Sequence, residues 1–201
     1  MNPTHTLPWD VLVIAGAAGT GKTSVSYKLA RHFGVGITEV DDLHLVLETM
    51  TTPEQQPQLH YWRTKPDDVE MTVDSIVELH ISVARLMSPA LKAVIMNHIE
   101  ERTPIVLEGD YILPELLLDD PVHNDWHPER VRAVFLFEPD ERQLVQNFLS
   151  REPSEGEQRG RAHVSRLYGE WLQKECDTYG VPALPARPWE SLFDRIVDAI
   201  G

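Results

Sequence analysis

One cysteine in 201 residues, Cys176, excludes an intrachain disulfide and a cysteine-built metal centre. It falls in a helical stretch of mixed polarity with no matched base nearby, so a structural role is expected. Basic residues are also scarce: 18 Lys and Arg stand against 32 Asp and Glu, for a net charge of −14. A surface that acidic repels nucleic-acid phosphates, which disfavours duplex binding. No apolar run approaches the roughly 18 residues of a membrane-spanning helix. The opening Met-Asn-Pro-Thr-His-Thr lacks the basic and apolar regions of a secretory signal. Repeats and low-complexity tracts are absent too. The expectation is a single domain over 1–201, cytoplasmic, without membrane or nucleic-acid partner, as a monomer or homodimer.

What is present is enough apolar material for a core, 42% of residues. Among the bases, five are Lys and 13 are Arg, whose planar fork suits phosphate and carboxylate. Val11 to Ala15 is a short continuous apolar run ending in glycine, the pattern of a central parallel strand covered on both faces. Residues 22–33 follow with helical spacing, Val25, Leu29 and Phe33 on one stripe, and Gly34 to stop it. Ile37 to Val40, Ile105 to Gly109, Val131 to Phe137 and Val181 to Leu184 read as further strands. Helical patterns over 43–50, 67–102, 140–150, about 162–179 and 189–200 alternate with them, and Ser88-Pro89 predicts a break or kink in the longest. Such alternation predicts an α/β domain, a parallel sheet with helices on both faces.

Residues 16–23 read Gly-Ala-Ala-Gly-Thr-Gly-Lys-Thr, the Gly-x-x-x-x-Gly-Lys-Thr phosphate loop, with a strand before it and a helix after it. Glycines let successive backbone N–H groups turn inward around a phosphate, and the following helix aims its positive dipole end at the same anion. The expected cradle for ATP is Gly16, Ala17, Ala18, Gly19, Thr20, Gly21, Lys22, Thr23 and Ser24. Lys22 would bridge the outer phosphates and stabilise developing charge, while the Thr23 hydroxyl would hold Mg²⁺.

Carboxylates at strand ends come next, because ligands of open parallel sheets bind at that edge. Asp41 is the first choice for a base that takes a substrate proton, and Asp42 the second; capping of the helix at Leu43 is the competing use. Asp41 and Glu108, which ends the third strand, are also candidates for Mg²⁺, and Glu108 for the acceptor. Glu138, which ends the fourth strand, is adequately explained by the turn that follows. Arg142, Arg151, Arg159 and Arg161 lie on or beside the charged segment 151–161, which has two glycines and no apolar side chain. Such a segment is expected to be mobile and fits a lid whose arginines close over phosphates, with Arg151 as a catalytic cation and Arg142 on the nucleotide. Between two turns, Arg63 and Lys65 are candidates to clamp an acceptor, and His44 to face the same cleft. His80 and His98 read as packing histidines. His123, Asp125 and His127 match no standard zinc spacing and read as a solvated loop.

The order of phosphate loop, strand-end Asp, helical insert (about 43–102), Glu-Gly strand and arginine-rich lid (about 151–161) resembles the small-molecule kinases of the P-loop superfamily. Leu91 to Glu115, with Ile-Val-Leu-Glu-Gly-Asp-Tyr-Ile-Leu-Pro inside it, is similar to 2-phosphoglycerate kinase-like proteins. The resemblance implies an adenylate-kinase-like three-layer core, a five-stranded parallel sheet in the order 2-3-1-4-5, and ATP with Mg²⁺. It places the acceptor between the strand-two Asp, the helical insert and the lid. It also makes Arg187 and Pro188 contacts of the adenine ring, where a plain helix-starting turn serves equally. One departure stands out: this chain has Gly109-Asp110-Tyr111 where those proteins carry Gly-Val-His. An extra acid there suits a doubly anionic phosphoglycerate poorly, so reaction type is carried over and substrate is not.

The expected activity is transfer of the ATP γ-phosphoryl group to a hydroxyl of a small metabolite. A nucleoside or nucleotide kinase is the alternative, and a nucleotide-dependent regulatory ATPase, with Glu138 catalytic, is the third.

Overall fold

A computed structural model describes residues 7–66, 68–118 and 127–201. His123 and Asp125 lie outside the described residues. The elements follow in the order β1 (Val11–Gly16), α1 (Lys22–Phe33), β2 (Gly36–Glu39), α2 (Val40–Met50), α3 (Tyr61–Thr64), α4 (Val73–Glu100) and β3 (Ile105–Gly109). Then come β4 (Val131–Phe137), α5 (Glu141–Arg151), α6 (Arg159–Tyr179), β5 (Ala183–Pro185) and α7 (Leu192–Ile200). The sheet is parallel in the order β2-β3-β1-β4-β5, the order that the resemblance implied.

Strand periodicity decides the layers. Val11, Val13 and Ala15 of β1 enter one core with Met87, Leu91 and Ile95 of α4 and Tyr168, Leu172 and Cys176 of α6. Leu12 and Ile14 enter the other, with Val25 and Leu29 of α1 and Ile196 and Ile200 of α7. Burial pushes the Cys176 thiol up to about 12, so it is inert packing, as expected.

Two local differences from the sequence reading have clear causes. First, α4 starts at Val73, where the Thr72 hydroxyl accepts the Ser75 N–H at 3.2 Å, and it runs on through Pro89 without a break. Pro89 and Arg85 lie on the exposed side, so water can serve the Arg85 carbonyl that proline leaves without its N–H partner. This helix is long and apolar enough to cross a membrane by length and composition. Its buried residues, from Val83 to Ile99, form one stripe packed in the core.

Second, α2 begins directly after β2, at Val40, so Asp41 and Asp42 occupy a first helical turn and are not a strand-end loop. The tight junction needs Gly109 opposite it: a Cβ there would lie 2.5 Å from that of Val40.

At the sheet edge away from the phosphate loop, Asp10 is buried. Arg130 grips it with two hydrogen bonds of 2.7 and 2.8 Å, and Arg102 adds one of 3.2 Å. The segment 151–161 is the surface connection from α5 to α6. Glu152 gathers it, accepting from Arg151, Gln158 and Arg161 at 2.8, 3.0 and 2.7 Å.

Candidate functional site: two joined cavities

The phosphate loop links β1 to α1, and its shape is held by its own side chains. The Thr20 hydroxyl donates to the Ala17 carbonyl at 3.0 Å, and Lys22 Nζ donates to the same oxygen at 2.9 Å. From α5, the Asn147 amide donates to the Gly19 carbonyl at 2.8 Å. Gly21 has φ 84°, and a Cβ on it would lie 2.5 Å from the Trp189 ring, so this tryptophan rests against the loop. A cavity of about 610 Å³ opens over the loop. Residues 18–24 form its floor, Asn147 and Arg151 one wall, and Arg187 and Trp189 another. Gly16 and Ala17 do not line it: Gly16 closes β1, and Ala17 serves through its carbonyl.

Lys22, the first residue of α1, is 5% exposed and forms an ion pair with Asp110, just past β3. Beside it, the Thr23 hydroxyl donates to Glu108 Oε1 at 3.0 Å. Glu108 is 4% exposed, and its Oε2 has no hydrogen-bond partner among the described residues. Burial raises the Glu108 pKa, and the nearby Lys22 charge and the Thr23 hydrogen bond oppose that. A buried orphan carboxylate oxygen next to a threonine hydroxyl is a hard-oxygen pair that fits Mg²⁺. No group of three or more His, Cys, Asp or Glu with metal-binding geometry occurs among the described residues. A cation held here would take its remaining oxygens from nucleotide phosphates and water.

A second cavity, of about 810 Å³, lies behind the first. Asp41, His44 and Leu45 of α2 form one wall, and Trp62 stands at the side. Met71 and the first turns of α4 form another wall, and Arg161, Val164 and Ser165 of α6 a third. A ring stack runs through it. His44 lies 5.1 Å from Tyr111, Tyr111 lies 5.8 Å from His80, and His80 lies 5.5 Å from Tyr168. Burial pushes the Tyr111 phenol up to about 12 and lowers the His44 pKa below its ordinary value, so both stay uncharged at neutral pH. The Tyr168 hydroxyl donates to the Asp110 carbonyl at 3.1 Å and fixes the turn that carries this acid.

The two cavities share four lining residues: Ala18, Asp41, Asp110 and Arg161. Asp41 is open to solvent through the cleft but has protein on most sides. That crowding raises its pKa first, the like charge of Asp110 adds to it, and Lys22 and His44 oppose it. Arg161 lies 4.5 Å from the centre of the Phe148 ring and Arg151 lies 5.5 Å from it, both tied to Glu152.

Of the residues singled out from the sequence, Lys22, Thr23, Ser24, Asp41, His44, Glu108, Arg151, Arg161 and Arg187 come together around these cavities. Others do not. Asp42 is exposed and lines neither cavity, since the next residue on a helix turns by about 100°. Arg63 is drawn back to the buried Glu48 of α2 at 2.6 Å, and Lys65 donates to the Val69 carbonyl at 2.6 Å. Arg142 sits exposed in the first turn of α5, at the far end from Arg151. Arg159 pairs with Glu157 on the surface. Pro188, joined to Arg187 by a cis peptide bond, lines neither cavity. Glu138 turns to the Asp140 N–H at 3.1 Å and lies 3.6 Å from Arg187.

The sequence reading missed Asp110 as a partner of Lys22, as well as Asn147, Tyr111, Trp189 and the lining role of His80. Asp110 carried a signal, as a third acid-bearing position at a strand end. His80 does satisfy its Nδ1 on the Ile76 carbonyl at 2.8 Å, as a packing histidine should, yet it also lines the cavity.

No family model and no curated protein matches the chain. Solved structures do match in fold. A gluconokinase from Sinorhizobium meliloti 1021 aligns with TM-score 0.51 at 16% identity, over 96% of this chain and 91% of that one. An uncharacterized protein from Eubacterium ventriosum ATCC 27560 aligns with TM-score 0.50 at 16% identity, over 94% and 97%. The chain therefore has the fold of the P-loop small-molecule kinases.

Proposed function

We propose that the protein is an ATP- and Mg²⁺-dependent kinase that phosphorylates a hydroxyl group of a small metabolite. The observation that carries this reading is the junction of two cavities at Asp41, Asp110 and Arg161, one cavity floored by a phosphate loop and the other not. A nucleotide in the first and an alcohol in the second would meet at that junction. Sharing a fold with a gluconokinase supports the same class of reaction.

In the proposed step, Asp41 accepts the proton of the acceptor hydroxyl as its oxygen bonds to the γ-phosphorus. The bond from that phosphorus to the β–γ bridging oxygen breaks, and its electron pair leaves with ADP. Lys22 and the loop amides stabilise the charge that develops on the transferring group. Thr23 and Glu108 would hold Mg²⁺, which would supply charge neutralisation at the phosphates. Arg151 and Arg161, which line the nucleotide cavity, would exchange Glu152 for the same charge, with the segment between them as the lid.

A regulatory ATPase with a catalytic Glu138 loses support, because that carboxylate lines neither cavity: its Oε1 accepts from the Asp140 N–H, and its Oε2, without a hydrogen-bond partner among the described residues, lies 3.6 Å from Arg187. The nucleoside reading, in which the aromatic and arginine residues of 60–65 read a base, loses Arg63 to Glu48 and keeps Trp62 on the second cavity. The test is to incubate the protein with γ-labelled ATP, Mg²⁺ and pooled hydroxylated metabolites, reading products by mass spectrometry. Label in a phosphorylated metabolite is expected. Label only in inorganic phosphate, at a rate no pool changes, would overturn the reading.

A further inference from the structure

The second cavity has a composition that the reaction type does not explain. Its walls are apolar and aromatic: Leu45, Trp62, Met71, Val73, Ile76 and Val164, with the flat faces of His44, Tyr111 and His80. A polyol or sugar presents hydroxyls on every side, and those turned to the apolar walls would lose water without a partner to replace it. The charges point the same way. Two carboxylates, Asp41 and Asp110, line the cavity, against one guanidinium, Arg161. Arg161 is already bonded to Glu152 at 2.7 Å. The two cations that follow Trp62 in sequence, Arg63 and Lys65, do not line the cavity and are held by Glu48 and by backbone carbonyls. His44 is uncharged at neutral pH, for burial lowers its pKa.

An anionic acceptor would therefore bring its charge beside two carboxylates, with one shared arginine to answer it. The opposite case is favourable. Lys22 is the cation paired with Asp110. A nucleotide that draws Lys22 to its phosphates leaves Asp110 facing the cavity without a cation, and an ammonium group on the acceptor would replace it.

Resting on the kinase reading above, we propose that the acceptor is an alcohol with a flat aromatic or apolar body and no negative charge, and that an amine on it strengthens binding. Trp62 and Leu45 at the side of the cavity would cover its body, the ring stack would lie against its face, and its hydroxyl would point to Asp41.

Binding and turnover are measured separately, so that the two readings fail in different ways. Binding to the full chain with a non-hydrolysable ATP analogue and Mg²⁺ is read by calorimetry. The probes are an aromatic amino alcohol series, the matching neutral aromatic alcohols, gluconate, glycerol and 2-phosphoglycerate. The expected order is amino alcohols, then neutral aromatic alcohols by about tenfold, then the polyol and the two anions at least a further tenfold weaker. Phosphorylated product is then sought with each. Tightest binding or fastest turnover with gluconate, 2-phosphoglycerate or glycerol would overturn the proposal while leaving the kinase reading intact. The expected binding order with no product from any probe would overturn the kinase reading instead, and support the ligand class. Ile76→Arg, which puts a cation into the apolar wall, should shift preference at least tenfold from the amino alcohols towards the anions. A preference unmoved by that substitution, in protein that melts normally, would count against the assignment of the cavity.

Discussion

The cavity over the phosphate loop and the cavity behind Asp41 share a boundary but are built differently. The floor of the first is one consecutive stretch, 18–24, and the groups it offers are largely backbone amides and the end of a helix. The second has no consecutive core: α2, Trp62, the start of α4, Tyr111 and α6 each contribute side chains. A site built from backbone at one turn is set by glycine spacing and tolerates little variation. A site built from side chains on several helices is set by how those helices pack, and its chemistry can differ between proteins of one fold.

Substitutions should separate the two. The largest effect is expected from Lys22→Met, which removes the cation at the phosphate loop. Turnover should fall by at least about 10²–10³, the usual cost of losing one stabiliser of transition-state charge. A coupled assay for ADP release checks it, and ordinary turnover would remove the first cavity from the reaction.

Asp41→Asn comes next, at the boundary itself. Turnover should fall by about 10²–10⁴, the usual contribution of a general base, with ATP binding intact. The same residue fixes a pH dependence. A base works deprotonated, and burial raises the Asp41 pKa, so activity should fall with acidification at a pH above the ordinary aspartate value. The residual activity of the Asn variant should lack that limb. If Asp110→Asn removes the limb and Asp41→Asn keeps it, the base is Asp110.

Glu152→Gln tests the connection between the cavities. It frees Arg151 and Arg161, which reach the nucleotide cavity from a carboxylate on the surface. Exposed pairs are worth about 0–1 kcal/mol, so ATP should bind up to about fivefold tighter with little change in thermal stability. Weaker ATP binding would show that Glu152 organises the arginines and does not restrain them.

Asp10→Asn acts far from both cavities. Losing charge-assisted bonds from Arg130 and Arg102 should lower stability by about 1–2 kcal/mol, read by denaturant unfolding, and leave turnover per folded molecule unchanged.

The same contrast explains what was legible in the sequence. The loop 16–23, the alternation that gives the sheet, and the strand ends at Glu108 and Glu138 depend on local pattern, and they appear where the pattern put them. Arg63 and Lys65 are near the second cavity in sequence, but their direction is set by Glu48 and by the Val69 carbonyl, which no local pattern encodes. His80 and Tyr111 are 31 positions apart and meet only because α4 and β3 pack into one core. Asn147 and Trp189 reach the phosphate loop in the same way, from elements that follow it by more than a hundred residues.

The ion pair between Lys22 and Asp110 has one more consequence, for equilibrium binding. A phosphate that draws Lys22 away loosens its hold on Asp110, and a cation that engages Asp110 loosens Asp110's hold on Lys22. Either ligand therefore does work that the second no longer has to do, and linkage requires each to raise the affinity of the other by the same factor. Titrating in both orders measures that factor twice. An unproductive analogue at one site would still reveal it, so the two cavities report on each other before any phosphoryl group moves.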